Sequence, residues 1–316
     1  MRNKLADIIY KYGSKNKKIA VIVADISPAG SIMKFRKKFP SRFINTGVAE
    51  QSMIGIAAGM ALRGFRPFCY TIATFALYRP FEMIRVDLCY QNLPVTVVGM
   101  GSGTIYSTLG STHLTQEDIS IARSIPNMNV IAPCDPKEME EAVKYCCIKS
   151  KGPVYLRIGK AGEQTYINNL SDKWHFGKIR KVVSGKDICI LTFGPIIKKA
   201  FEIREKLNKE KISTEINSCH TLKPFDLAGL KKKFRNFKLI IIIEDHSEIG
   251  GLNNIVKTAA YEENYKGKVI NFSLKDKFIH CYGNHDDLLE KHGISTNKIF
   301  KKIKTLNKKN IFKNSI

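Results

Sequence analysis

The sequence predicts an α/β protein of two domains, each a mainly parallel sheet covered by helices. Three observations carry that reading. Short β-branched runs alternate with stretches of helical period, which is the pattern of strand–helix–strand crossovers. The alternation stops between residues 159 and 185, where Gly, Asn and Asp cluster, and then starts again. The run LIIIIE at residues 239–244 is continuously apolar, as expected of a strand covered on both faces. A length of 316 residues agrees with two domains, at ~150 residues each.

Taken in order, β-branched and apolar runs predict strands at 19–25, 68–73, 95–100, 129–132 and 154–158. Helical patterns lie between them at 50–62, 75–90, 116–123 and 136–150. After the break, strands are predicted at 187–193, 213–218, 239–245 and 268–272, with helices at 196–208, 227–233 and 252–263. The first domain is expected to span 1–165, a linker 166–184, and the second domain 185–316 with a basic tail.

Hydrophobic residues make up 44% and charged residues 25%, which excludes a chain disordered throughout. No run of ~18 apolar residues reads as a transmembrane helix. The start MRNKLADIIYKYG has no signal-peptide core, so a cytoplasmic protein that begins natively here is expected. Eight cysteines show no CxxC pair, and adjacent Cys146 and Cys147 read as helix core with reduced thiols. Charge is the unusual quantity, with 52 Lys+Arg against 28 Asp+Glu, a net +24. The basic residues are spread widely and dense only from 297 to 316, with seven lysines and no carboxylate. Without zinc-finger or RNP-like signatures, Lys-rich coding bias explains this better than nucleic-acid binding. A positive field still suits phosphorylated substrates.

Three stretches could carry chemistry. In Asn45-Thr46-Gly47-Val48-Ala49-Glu50-Gln51, a strand ends at Thr46 and a glycine turn puts Glu50 in the first turn of an apolar helix. Taken alone, such a carboxylate is a helix-end group favoured by the macrodipole. In Thr71–Phe81 (TIATFALYRPF), Phe75, Tyr78 and Phe81 recur at i, i+3 and i+6, along one side of a helix start. They are either core or a wall for a flat heterocycle. Third, Gly110-Ser111-Thr112-His113 sets a glycine-flanked histidine before a helix.

These residues, in this order and register, resemble the transketolase family, including 1-deoxy-D-xylulose-5-phosphate synthase, over nearly the whole chain. RFINTGVAEQSM at 42–53 is similar to the family's cofactor-glutamate motif. QNLPV (91–95), THLTQEDI (112–119), RSIPNMNVIAPCDP (123–136) and GPVYLRIGK (152–160) follow in the family's order, and TLKPFD (221–226) and EDHSEIGG (244–251) resemble its C-terminal domain. The family's Gly-Asp-Gly signature, on the domain that holds the diphosphate and magnesium of thiamine diphosphate, is missing from this sequence. The resemblance therefore implies the separately encoded C-terminal half of a split transketolase, made of the pyrimidine-binding and C-terminal domains. It also implies an N-terminal partner subunit carrying Gly-Asp-Gly and most of the Mg2+ ligands, with an α2β2 assembly. The implied activity is transfer of a two-carbon ketol unit between phosphorylated or related sugars.

By that resemblance a buried Glu50 hydrogen-bonds the aminopyrimidine N1′ of thiamine diphosphate. Phe75, Tyr78 and Phe81 match positions that pack the pyrimidine. Asp25 matches a cofactor-contacting aspartate, or is a strand-end turn carboxylate. His113 matches a histidine at the substrate channel. Arg157 matches an arginine gripping the sugar phosphate, or forms a surface or domain-interface ion pair. Arg2 matches a second phosphate arginine more loosely. Family members typically read Asp-Gly-Pro-Thr-His where this chain has Leu109-Gly110-Ser111-Thr112-His113, so the acceptor sugar is less defined than the chemistry. The rival readings are a 1-deoxyxylulose-5-phosphate synthase-like protein, a 2-oxo-acid dehydrogenase β subunit, and a non-catalytic basic nucleic-acid adaptor.

Overall fold

A computed structural model describes residues 1–26, 30–166 and 173–308. The first half contains α1 (Arg2–Gly13), β1 (Ile19–Val23), α2 (Ser31–Lys38), β2 (Phe43–Asn45), α3 (Glu50–Leu62), β3 (Arg66–Ile72), α4 (Ala73–Leu77), α5 (Phe81–Met83), β4 (Thr96–Met100), α6 (Asp118–Ser124), β5 (Asn129–Ile131), α7 (Pro136–Ile148) and β6 (Val154–Ile158). The second contains β7 (Arg180–Val183), β8 (Ile188–Thr192), α8 (Ile197–Lys209), β9 (Thr214–Ser218), β10 (Thr221–Lys223), α9 (Leu227–Asn236), β11 (Leu239–Ser247), α10 (Leu252–Glu262), β12 (Lys268–Leu274), α11 (His285–Lys291) and α12 (Thr296–Lys308).

The expected α/β architecture is present. One sheet runs β10-β5-β6-β4-β3-β1-β2, the other β12-β11-β8-β9-β7. Each is parallel except for one antiparallel edge strand, β10 on β5 and β7 on β9. The central strands β1, β4, β6 and β8 are buried at every residue, which explains their near-continuous apolar sequences. Helices cover both faces. One apolar cluster joins α3 and α6 to residues of β8, β11 and α10, so the core is continuous between the domains. A second packs α1, α2 and α7 on the other face of the first sheet, and a third packs α8 and α12 on the second sheet. Cys146 and Cys147 are buried in the second cluster, as the sequence predicts.

The differences from the sequence reading have physical causes. The helix predicted over 75–90 is interrupted. α4 ends at Leu77, Pro80 precedes α5, and a π-helical segment runs Ile84–Tyr90, because proline supplies no N–H for a continuing helix. The described part of the lysine-dense tail lies in α12, which buries Ile299, Ile303 and Leu306, so Lys298, Lys301 and Lys302 stand on the solvated side of a packed helix. Residues 180–183, read as linker, form β7 on the edge of the second sheet. The linker residues 167–172, the tail residues 309–316 and the stretch 27–29 beside Asp25 lie outside the described residues. Among the described residues, no helix is long and apolar enough to cross a membrane.

Candidate active site

The carboxyl ends of β1, β2, β3, β4 and β6 carry the candidate residues, the end of a parallel sheet where loops can converge on a ligand. β1 leads to Asp25. β2 leads to the turn at Gly47, whose φ of 70° suits glycine. The Thr46 hydroxyl holds that turn by donating to the Val23 carbonyl at 3.2 Å. Glu50 follows as the first residue of α3 and is 3% exposed. Its Oε2 accepts a hydrogen bond from Arg79 at 2.9 Å. Its Oε1 has no hydrogen-bond partner among the described residues, which leaves one oxygen of a buried carboxylate free to accept.

From Glu50 the contacts run outward in a chain. The Arg79 guanidinium lies 4.5 Å over the Phe75 ring. Phe75 meets His113 edge-on with centroids 5.3 Å apart, and His113 meets Tyr106 at 6.4 Å. Lys160 Nζ lies 5.3 Å from the Tyr106 ring. The charge of Arg2 works against the burial that raises the phenols of Tyr70 and Tyr106, and its buried Nε has no hydrogen-bond partner among the described residues. The fold therefore brings together Glu50, Phe75 and His113 among the expected residues, and adds Arg79, Tyr106 and Lys160. Asp25 is exposed with a φ of 45°. Its N–H donates to Asn45 Oδ1 at 3.1 Å, and the same oxygen accepts from Gly47 N–H at 3.0 Å. Asp25 is thereby tied to the turn that precedes Glu50.

Three expected residues have different surroundings. Tyr78 and Phe81 are half-buried against the first core cluster. Tyr78 continues the last turn of α4 from Phe75, its N–H donating to the Thr74 carbonyl at 3.1 Å, and the break at Pro80 separates Phe81 from that register. The Tyr78 hydroxyl is buried without a hydrogen-bond partner among the described residues, and burial together with the charges of Asp118 and Glu117 pushes its phenol well up. Arg157 is buried between the domains rather than opening onto the site. Its Nε donates to Asp118 Oδ2 at 2.9 Å and its NH2 to the Asp245 carbonyl at 2.8 Å. Burial alone would lower the guanidinium pKa, but the carboxylates of Asp118 and Asp245 outweigh it and raise it. Its ion pair is thus with Asp118 of the same domain, and its contact across the domain boundary is the hydrogen bond to the Asp245 carbonyl.

The second domain holds the loop that bears His113. Asp245, on β11, accepts from Thr104 N–H at 3.0 Å, from Thr104 Oγ1 at 2.8 Å, and bonds His285 Nε2 at 3.0 Å. Burial pushes this carboxyl up, yet His285, Arg157 and the Thr104 N–H together hold it below the usual range. Gly103 has a φ of 72°, and a Cβ there would overlap the Asp245 carboxylate. Further along, the Ser111 hydroxyl donates to the Ile279 carbonyl. Serine in place of the family's proline thus gains an interdomain hydrogen bond. Leu109 is 47% exposed on the same loop. Arg79, Lys160 and Asp245 all lie within motifs quoted from the sequence, but nothing in the local pattern distinguished them. His285 had no local signal.

Residues 1–162 match the family model for the transketolase pyrimidine binding domain, and residues 177–299 match that for the transketolase C-terminal domain. The chain belongs to the transketolase family. It is 35% identical over 304 residues to a protein named as a transketolase C-terminal section from Methanocaldococcus jannaschii, covering 96% of this chain and 95% of that one. It is 31% identical over 302 residues to a 6-deoxy-6-sulfo-D-fructose transketolase subunit of Clostridium sp. (strain MSTE9), covering 95% and 92%. It is also similar to a solved split-gene transketolase, described as an inactive β4 tetramer, with a TM-score of 0.85 and 32% identity over 96% of each chain. In length and domain content this transketolase-family chain thus corresponds to C-terminal subunits of split transketolases.

Proposed function

We propose that the chain is the C-terminal subunit of a thiamine-diphosphate-dependent split transketolase that moves a two-carbon ketol unit between sugar phosphates or related sugars. One observation carries the reading: a buried carboxylate, Glu50, with one oxygen unpartnered among the described residues, stands at the carboxyl ends of parallel strands beside a chain of rings that includes Phe75 and His113. The donor set fits an aminopyrimidine. Glu50 Oε1 is free to accept from a ring nitrogen, and Phe75 offers an aromatic side. When bound, thiamine diphosphate would supply the nucleophilic carbon that ketol transfer requires.

The chain's own residues would then divide the work. Glu50 holds a proton shared with the pyrimidine nitrogen, and Arg79 fixes the other carboxylate oxygen. His113 donates to or accepts from the oxygen on the reacting carbon. Lys160, beside the Tyr106 ring, and Arg2 face the anionic end of the substrate in place of the engaged Arg157. The diphosphate and Mg2+ belong to a partner subunit carrying Gly-Asp-Gly, in an α2β2 assembly. Helix α3 supports an assembled state. Besides its buried face it exposes Ile56 and Leu62, and a helix apolar all round belongs in an interior.

The test is to purify this chain alone and with a co-expressed Gly-Asp-Gly subunit. Ketol transfer by the pair and none by the chain alone is expected. Full activity of the chain alone would overturn the division of the cofactor site.

A further inference from the structure

At the opposite end of the second sheet, a cleft of about 660 Å³ opens between the α9–β11 and α10–β12 connections. Lys238 marks that end of β11 and Asp245 the end near the candidate active site, so the two lie roughly 23 Å apart at ~3.3 Å per residue. The cleft is lined by Lys231, Arg235, Lys238, Lys266 and Lys268, with Glu263 as its carboxylate. Glu263 is taken by Lys231 at 2.6 Å. Arg235, Lys238, Lys266 and Lys268 form no ion pair among the described residues. Phe234 and Tyr265 stack in the same cleft with centroids 4.7 Å apart, and Tyr265 is pinned by donating from its hydroxyl to the Phe237 carbonyl at 2.7 Å.

We propose that this cleft is a binding site for a small oligophosphate anion. Four uncompensated cations around one concavity repel one another, and an anion of several charges relieves that repulsion. The guanidinium of Arg235 matches phosphate geometry, and the lysines add point charges around it. The volume is that of a small-molecule site. The cations surround one concavity with a pinned aromatic pair, rather than forming the open stripe that tracks a nucleic-acid backbone. The site is independent of the ketol-transfer reading, because none of its residues belongs to that site.

The experiment titrates inorganic tripolyphosphate into the full chain by calorimetry at physiological salt. Saturable one-site binding is expected. K238E/K266E weakens it at least tenfold, and the charge-matched control K301E/K302E, on the exposed side of α12, changes it less than twofold. K238Q/K266Q, which removes charge without reversing it, gives the same order if the reversed variant folds poorly. No saturable binding, or equal weakening by the two charge-reversed variants, would overturn the proposal. So would tighter binding of a DNA duplex lost in the same cleft variant, which would make the surface a nucleic-acid site.

Discussion

At the scale of single residues, the candidate site depends on Glu50 being buried while only one of its oxygens is engaged. In the assembled enzyme, Glu50→Gln is expected to lower turnover at least ~100-fold with little change in assembly, the loss of a positioned proton-sharing group. Near-native rates would remove Glu50 from the mechanism. Arg79→Ala is expected to cost about 1–2 kcal/mol in chemical denaturation, because it strips a buried carboxylate of its donor while the arginine itself is half in solvent. It should also reduce kcat more than KM if the arginine positions Glu50. The glycine turn and apolar helix that bracket Glu50 made its position at the start of α3 legible, while its proposed role came only from the family resemblance. Arg79 was not legible, since an arginine in an aromatic stretch has no signature until the chain folds it back onto α3. Arg157 was legible as a family position, but its ion pair with Asp118, 39 residues away, and its hydrogen bond to Asp245 across the domain boundary are contacts that a linear pattern does not contain.

Among elements, β10 and α12 are most informative. His220 immediately precedes β10, stacks on Trp174 with centroids 4.9 Å apart, and has a buried Nε2 without a partner among the described residues. Burial, with Arg180 and His175 nearby, drops its pKa from 6.5 to about 3. Its folded value lies below its unfolded one, so the unfolded chain binds the extra proton. The stability tied to neutral His220 is complete above pH 6.5 and falls by about 1.4 kcal/mol per pH unit towards pH 3. His220→Phe keeps a ring against Trp174 and should make stability fall less steeply between pH 6 and 4, measured by urea titration at each pH. For α12, Ile303→Ala is expected to cost about 2–4 kcal/mol by leaving a hole in the third core cluster. Most core strands were readable from their β-branched runs. The short strands β7 and β10 were not, because edge pairing is set by distant partners. α12 was hidden by its lysines, whose charge obscured the apolar spacing of Ile299, Ile303 and Leu306.

For the whole molecule, the domains act on each other through the loop that carries His113. Asp245→Asn removes the charge shared by Thr104, His285 and Arg157. It should lower the melting temperature and broaden the calorimetric transition as the domains lose coupling, whereas a single sharp transition of unchanged midpoint would show that apolar contacts alone join them. The two-domain plan was visible in the sequence, but not the strand that crosses between the domains. That strand also sets a schedule for synthesis. β10 begins at Thr221, while the β5 residue it pairs with is Ile131, 90 residues earlier. At ribosomal speeds of ~5–20 residues per second, the outer rim of the first sheet stays bare for roughly 5–20 s of translation. During that interval its free amides and carbonyls can recruit a nascent neighbour. Crowded expression should therefore favour tangling of unfinished chains, and a gene cut before residue 221 would leave the bare rim permanent.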